Sequence, residues 1–548
     1  MQRRVQAGPL SAIYDSTGGD LRDIRFQGAL ICLRIYAAIR DEDWGTVPGT
    51  ISNESIEETG DAFTIRYTST HKKGAIDFTW QGTIRGSARG AIFFSFDGEA
   101  HSDFRRNRIG FCVLHPMQAA GLPCTLTCTD RTPDPETLPL TITPDQPPHG
   151  FTDLIGLTHS LPHGGEVEFT FIGDAFEMED QRNWTDASFK TFCTPLSFPF
   201  PVEVHKGEHV QQSVTMRYHP IQAIPSRETG QAAGESITLV LRNTTPTPFP
   251  EIGLGVPQEL PLPDEAGLAR LKALGLAHLR IDDFHPNSLA LANALGLPVE
   301  LAVHGTEYTA QPGDWARVLA LPSTEHPKER PDHAVLLEAA RAAFPDTPVF
   351  LGTDSDFLFL NRFTPEGAQS DGFTFAITPQ IHAFDRESII ETAEAQGVVV
   401  TNARRLADGK PVIVSPVTLL PRWNPYAATP QPRGVPAADP RQGTPFCAAW
   451  TLASLKYLAA AGAASVTLYE THGTRGVLGT PTESLLQQLA GASTVLPSWS
   501  SNPLRVEILA FERDGERVVL AANLTSSPQE VLWDSEKRTL EPYAVVNL

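Results

Sequence analysis

PVIVSPV (411–417), PFCAAWTLASLKYLAAAG (445–462) and SVTLYE (465–470) read as a strand, a helix and a strand. Both strands are almost continuously apolar. That pattern belongs to parallel strands covered by helices, because a half-exposed antiparallel strand would alternate. The same texture extends upstream through EIGLGV (251–256), HLRIDD (278–283), VELAVH (299–304), RVLALPS (317–323), VFLGTDS (349–355) and FTFAITP (373–379). Helical patterns such as DEAGLARLKALG, HAVLLEAARAAF and DRESIIETAEAQG lie between most of them. Eight such strands predict a closed (β/α)8 TIM barrel. An open doubly wound sheet is the weaker alternative, since no Gly-rich phosphate fingerprint follows the first strand.

Residues 1–235 have a different texture. DAFTIRYTS, GAIDFTWQGTIRG, GAIFFSFDGEA and EVEFTFIGD are short, alternating and rich in aromatic or β-branched residues. A long run of strands without helices predicts a large antiparallel sandwich. The Pro-rich stretches 132–148 and 194–201 are expected to be loops. After the barrel, LRVEILAFER, RVVLAANLT and LEPYAVVNL read as three short strands. The expected organisation is therefore a β-sandwich at 1–235, a barrel at 245–495 and a small β domain at 496–548, with 236–243 a candidate partner strand for the tail.

Asp and Glu number 64 against 43 Lys and Arg, a net charge of −21. Such a surface repels phosphate backbones and anionic membranes, so neither nucleic acid nor membrane is expected as a partner. The N-terminal MQRRVQAGPLSAIYD has basic residues but no apolar core behind them, so a cytoplasmic chain is expected. No window reaches the roughly 18 apolar residues that span a bilayer. The six cysteines are few for 548 residues and are expected to be buried free thiols.

In a β/α barrel the reactive groups stand at the C-terminal ends of the strands. Those ends carry Asp282 and Asp283, His304, Asp354 and Asp356 with Asn361, Gln380 and His382, Ser415 with Arg422 and Asn424, and Glu470. Carboxylates, imidazoles and an arginine on one rim suit acid–base chemistry on a polyhydroxylated ligand. Each has a plainer reading as a helix cap, a turn former or a satisfied histidine. The densest polar run, EMEDQRNWTDASFKTF (177–192), lies before the barrel. Carboxylates and amides bind hydroxyls, Arg grips a carbonyl oxygen and Trp stacks on a sugar face. The competing reading is a structural salt-bridge corner.

The runs MEDQRNWTDASFKTF, ITPQIHAF, VSPVTLLPRWNP and LYETHGTRG resemble the D-apionate lactonase family over essentially the whole chain. The resemblance implies a hydrolase that opens D-apionolactone, or a related aldonolactone, to the acid. FRRNRIGF (104–111) is also similar to the mutarotase type of β supersandwich, and the barrel is similar to those of clan-A glycoside hydrolases. Where those carry Asn-Glu after strand four, the nearest match here is LNR, Asn361 followed by Arg362.

Lactone hydrolysis needs a base for water, a donor for the developing oxyanion and an acid for the leaving alkoxide. Glu470 or His382 is the expected base, and Arg182 or Arg422 the oxyanion donor. Glu179 is a further catalytic candidate and, with Asp180 and Asn183, a holder of substrate hydroxyls. Trp184, Lys190, His304, Asn361, Gln380 and Asn424 complete the expected binding set. No GxSxG elbow is present, which disfavours an acyl-serine route. No cofactor is expected. His304, His382 and an acid could hold a metal, but no ligand motif is present, so none is expected. The partner is then a small sugar lactone or a glycoside. The alternative is a glycoside hydrolase pairing Glu470 with Asp354, Asp356 or Glu179. A non-catalytic carbohydrate-binding protein is a third reading, disfavoured by so many titratable groups on one rim.

Overall fold

The computed structural model describes residues 2–130, 132–220, 236–283, 286–308, 313–326, 328–367, 369–426 and 437–548. The expected boundary between sandwich and barrel, near residue 235, falls in a stretch outside the described residues. The chain divides into two compact units, residues 1–181 with 188–232, and residues 182–187 with 233–548.

The first unit is a sandwich of an eight-stranded and a nine-stranded antiparallel sheet. Alternation makes it. In Ile76–Ser87 every second residue from Ile76 is buried, and its neighbours are more exposed. The strand pairs residue for residue with Ala62–Lys73. Trp80, Phe94, Phe96 and Phe111 fill the space between the sheets, each at most 1% exposed. One expectation is corrected here. The Pro-rich run 132–148 contains a strand, Asp134–Thr137. It is the outermost strand of its sheet, where Pro135 removes no ladder bond that a neighbour needs. All six cysteines are buried and free.

The second unit contains a closed barrel of eight parallel strands. They are Glu251–Gly255, His278–Asp282, Val299–His304, Trp315–Leu321, Val349–Gly352, Gly372–Ile377, Val412–Val417 and Ser465–Glu470, one for each strand expected from the sequence. Closure is direct, because Glu251 of strand one pairs with Ser465 of strand eight. The covering helices start where carboxylates cap them. Asp264, Asp332, Asp356 and Asp385 each accept a bond from a backbone N–H of the first turn. Trp450, fully buried in Pro445–Ala460, ties that helix to Arg386–Leu406 by donating Nε1–H to the Ile389 carbonyl at 2.8 Å.

Beyond the barrel the tail is richer than the three expected strands. Val506–Arg513 and Glu516–Asn523 form a hairpin, and Val545–Asn547 joins it. A second hairpin, Gln529–Trp533 with Glu536–Leu540, was not expected. Its polar outer face hides the period, but Val531 and Trp533 point inward, and Asp534 and Ser535 turn the chain at φ 47° and 67°. Ile237–Leu241 pairs in parallel with Gln529–Trp533 and antiparallel with Ser498–Ser500. Among the described residues no helix is long and apolar enough to cross a membrane.

Barrel closure leaves no room at Gly352, where an added Cβ would overlap the Thr374 backbone carbonyl of the neighbouring strand. Gly352→Ala should cost about 1–3 kcal/mol of stability by overpacking. Denaturant unfolding checks this, and an unchanged midpoint would contradict the packing described.

Candidate active site

The mouth of the barrel is organised by an arginine inside strand two. Arg280 is 1% exposed. Its guanidinium donates to Asp282 Oδ1 at 2.6 and 2.9 Å, Asp354 Oδ1 at 2.6 Å, and the Ser415 carbonyl and Oγ at 2.7 and 3.0 Å. Strands two and seven and the turn after strand five are thereby tied to one cation. From the loop after strand seven, Arg422 donates to both Asp354 oxygens at 2.8 Å and to Asp282 Oδ2. His304, ending strand three, stands between Asp354 (3.2 Å) and Asp283 (3.3 Å). Burial opposes ionisation of Asp354, but Arg422 and Arg280, joined by His304, hold its carboxyl well below the usual range. Asp282 is lowered by the same two cations against the same burial.

Below this layer lies Glu300, fully buried beside Arg280 in register. It accepts from Ser415 Oγ and from Thr467 Oγ1 (2.8 Å). His278 and Arg317 stand 3.5 and 3.6 Å away. Burial raises its carboxyl, yet His278, Arg317 and Arg280 bring it below the ordinary value.

Glu470 closes the ring at the end of strand eight. A bulge there shifts the pairing with strand one, and Tyr469 takes φ 42°, a left-handed conformation rare for a side chain of that size. The kink sets how Glu470 leaves the strand. Its Oε1 accepts from Arg475 Nε at 2.8 Å, and Arg475 also pairs with Glu259. Its Oε2 is buried with no hydrogen-bond partner among the described residues. Burial pushes the Glu470 carboxyl up, only partly offset by Arg475. Glu470, Arg422, Asp282, Arg280 and Arg475 line one cleft, with Asp439 and Gln442 on its far wall.

A second group stands on the rim after strands five to seven. His382 Nδ1 lies 2.6 Å from Asp186 Oδ2. Trp184 Nε1–H donates to the Tyr426 hydroxyl at 2.9 Å, and that hydroxyl donates to Asp356 Oδ2 at 2.7 Å. Burial lifts Asp356 to about 6, although Tyr426, Ser355 and Leu358 donate to it.

The polar run 177–192 is divided between the two units. Residues 182–187 belong with the barrel. Glu179, Asp180 and Lys190 belong to the first unit, where Lys190 pairs with Glu179 and the buried Asp180 receives Gln146 on its backbone N–H at 2.8 Å. Arg182 is buried. Three expected binding groups make hydrogen bonds within the protein. Gln380 donates to the Leu419 carbonyl (2.6 Å) and Asp439 (2.7 Å) and accepts from Arg441 (2.7 Å), so its amide is a strut for the strand-seven loop. Asn361 donates to Asn183 Oδ1 at 3.0 Å, so those two amides hold each other. Asn424 is exposed and bonds the Tyr426 backbone N–H at 3.0 Å as a turn former. The LNR run lies in Phe357–Arg362, after strand five as expected and not after strand four. The acid that follows strand four is the buried Glu325, which accepts the Asp354 N–H at 2.8 Å.

Sequence reasoning missed Arg280, Glu300, Arg475 and Tyr426. A charged residue inside an apolar strand, as in HLRID and VELAV, was the available signal for the first two. Among the described residues, Asp282, His304 and Asp354 bring three ligand atoms within 4.8 Å of one another. They do not fit a metal ion, because Arg280 and Arg422 already bond both carboxylates and would repel a dication.

A D-apionate lactonase of Brucella anthropi is 30% identical over 99% of this chain and 96% of its own length. The chain belongs to the D-apionate lactonase family. Models of that family's N-terminal domain, TIM barrel domain and C-terminal immunoglobulin-like domain match residues 1–220, 289–501 and 503–548. This member of the D-apionate lactonase family is therefore a sugar-directed hydrolase of the lactonase type. Solved structures similar to it include a family 51 α-L-arabinofuranosidase of Bifidobacterium longum (12% identity, 57% of this chain and 94% of that one, TM-score 0.39). A putative aldose 1-epimerase of Escherichia coli is another (8% identity, 40% and 99%, TM-score 0.30).

Arg280→Met should leave Asp282 and Asp354 short of a buried cation and cost about 3–5 kcal/mol of stability. Asp354, with its lowered carboxyl, contributes stability that is complete above about pH 4 and is lost as pH falls further, toward the folded value. Asp354→Asn should flatten that acid limb. Chemical unfolding from pH 2 to 7 measures both, and an unaltered limb would contradict the ion network.

Proposed function

We propose that this chain hydrolyses D-apionolactone or a related aldonolactone, using a water activated by Glu470. The observation that carries the reading is Glu470 itself. Its carboxyl is raised by burial, one oxygen lacks a hydrogen-bond partner among the described residues, and Arg422 lines the same cleft. A base works best when its pKa approaches the working pH, and burial moves Glu470 in that direction.

Glu470 takes a proton from water as the water oxygen bonds to the lactone carbonyl carbon. The carbonyl oxygen becomes an oxyanion beside Arg422. Among the described residues three bonds use that guanidinium's five N–H donors, and Asp354 and Asp282 fix its plane. Arg422 is preferred to Arg182 because it lines the cleft and Arg182 is 1% exposed. Collapse of the oxyanion breaks the ring C–O bond and leaves an alkoxide that needs a proton. His304 and Trp184 are candidates for contacting the sugar.

A two-carboxylate glycosidase has one observation in its favour, the Asp356 carboxyl at about 6, suited to a general acid. Its other proposed acids do not serve. Two guanidiniums hold Asp354 ionised, and Lys190 holds Glu179.

Acid release from a panel of sugar lactones, run beside aryl glycosides, tests the reading. Turnover of D-apionolactone is expected, and Glu470→Gln should lower kcat about 10²–10⁴-fold. Because the Glu470 carboxyl is raised, the acid limb of kcat/KM should lie above the ordinary carboxylate value of about 4.3. Cleavage of glycosides but not lactones would overturn the reading, and a Glu470→Gln enzyme with full activity would remove the proposed base.

A further inference from the structure

The second rim group has geometry that the proposed mechanism has not yet used. We propose that Asp186 is a positioning residue for His382, and that this pair supplies the proton to the leaving alkoxide. The second half of the statement rests on the lactonase reading.

The segment 182–187 is fastened to the rim through three loops. Asn183 bonds Asn361 after strand five, Asp186 bonds His382 after strand six, and Trp184 bonds Tyr426 after strand seven. Thr185, between the last two, has φ 71°, a left-handed conformation costly for a β-branched residue. That turn lets Trp184 and Asp186 both reach His382. The Trp184 ring stands edge-on to the imidazole, 5.2 Å between centroids at 79°.

At 2.6 Å the contact of Asp186 Oδ2 with His382 Nδ1 has the length of a charge-assisted bond. The side chains are 14% and 22% exposed, so water screens the bond only in part. A carboxylate on Nδ1 fixes the ring plane and keeps a proton on that nitrogen. Proton exchange with a ligand then falls to Nε2. Asp186 and Asp356 are charged groups beside His382, and the neutral Trp184 ring lies next to it.

The step balances simply. The C–O bond to the ring oxygen of the tetrahedral intermediate breaks, and its electron pair goes to that oxygen. The proton on His382 Nε2 passes to the same atom, leaving neutral imidazole. Glu470 holds the proton taken from water. Its release to solvent and uptake of one proton by His382 restore the starting state.

The test compares wild type, Asp186→Asn, Asp186→Glu, His382→Gln and the Asp186→Asn/His382→Gln double variant on a lactone that the wild type hydrolyses. Asp186→Asn should lower kcat about 10- to 100-fold and change KM little. Asp186→Glu should recover part of the rate. The double variant should be no slower than His382→Gln, since both changes remove one function. NMR of 15N-labelled histidine, with His382 assigned by its absence in His382→Gln, gives a readout without substrate. The neutral His382 ring should carry its proton on Nδ1 in the wild type, and that tautomer preference should be lost in Asp186→Asn. A lactone-inactive wild type with that NMR signature would sink the lactonase reading and the alkoxide step but leave the positioning role. An unchanged tautomer in Asp186→Asn, or losses that multiply in the double variant, would overturn the proposal.

Discussion

A guanidinium buried inside a barrel strand has to be matched by charge. Arg280 is matched by Asp282 and Asp354, and Arg422 shares the same two carboxylates from above. An unpaired ion there would cost several kcal/mol, so these four charged groups, from strand two and the segments after strands five and seven, stand or fall together. The mouth of the barrel is rigid for that reason. A preorganised array of charge stabilises a developing oxyanion without having to reorganise around it. The same pairing also divides the labour. Asp282 and Asp354 are held ionised and cannot move protons near neutral pH, so proton handling falls to groups outside the network. Glu470, raised by burial, and His382, braced by Asp186, are the groups we propose for it.

Glu300 extends the argument into the core. It sits beside Arg280 in register and bonds Ser415 and Thr467, which come from strands seven and eight. Its charge is balanced by His278, Arg317 and Arg280, so the layer beneath the mouth is as constrained as the mouth itself. Residues 182–187 add a cover of a different kind, with single hydrogen bonds to three loops in place of buried ions.

Much of the fold could be read from sequence because burial on both faces leaves a plain mark. Each barrel strand is a short apolar run between helical patterns, and runs such as VELAVH and SVTLYE needed no further context. The hairpin at 529–540 left no such mark, since QEVLWDSEKRTL is mostly polar and only Val531, Trp533 and Leu540 are apolar residues of its inner face. Asp134–Thr137 was hidden by Pro135, which an edge strand tolerates. At the site, rim residues such as Glu470, His382 and Arg422 were visible because barrel geometry says where to look. Arg280 and Glu300 were not, because a strand-end search passes over residues within the strand. Gln380 and Asn361 could not be resolved for a related reason: an amide at a strand end looks the same in sequence whether it faces a ligand or braces a loop.

The central claim is that one ligand is held at the mouth between Arg422, Glu470 and His382. A crystal structure with a non-hydrolysable lactam analogue of D-apionolactone tests it most directly. The account predicts the lactam carbonyl oxygen within hydrogen-bond distance of Arg422, Glu470 on one side of the carbonyl carbon, and His382 Nε2 facing the ring nitrogen that replaces the leaving oxygen. A lactam bound away from Arg422, or with Glu470 and His382 both out of reach of its ring, would contradict it.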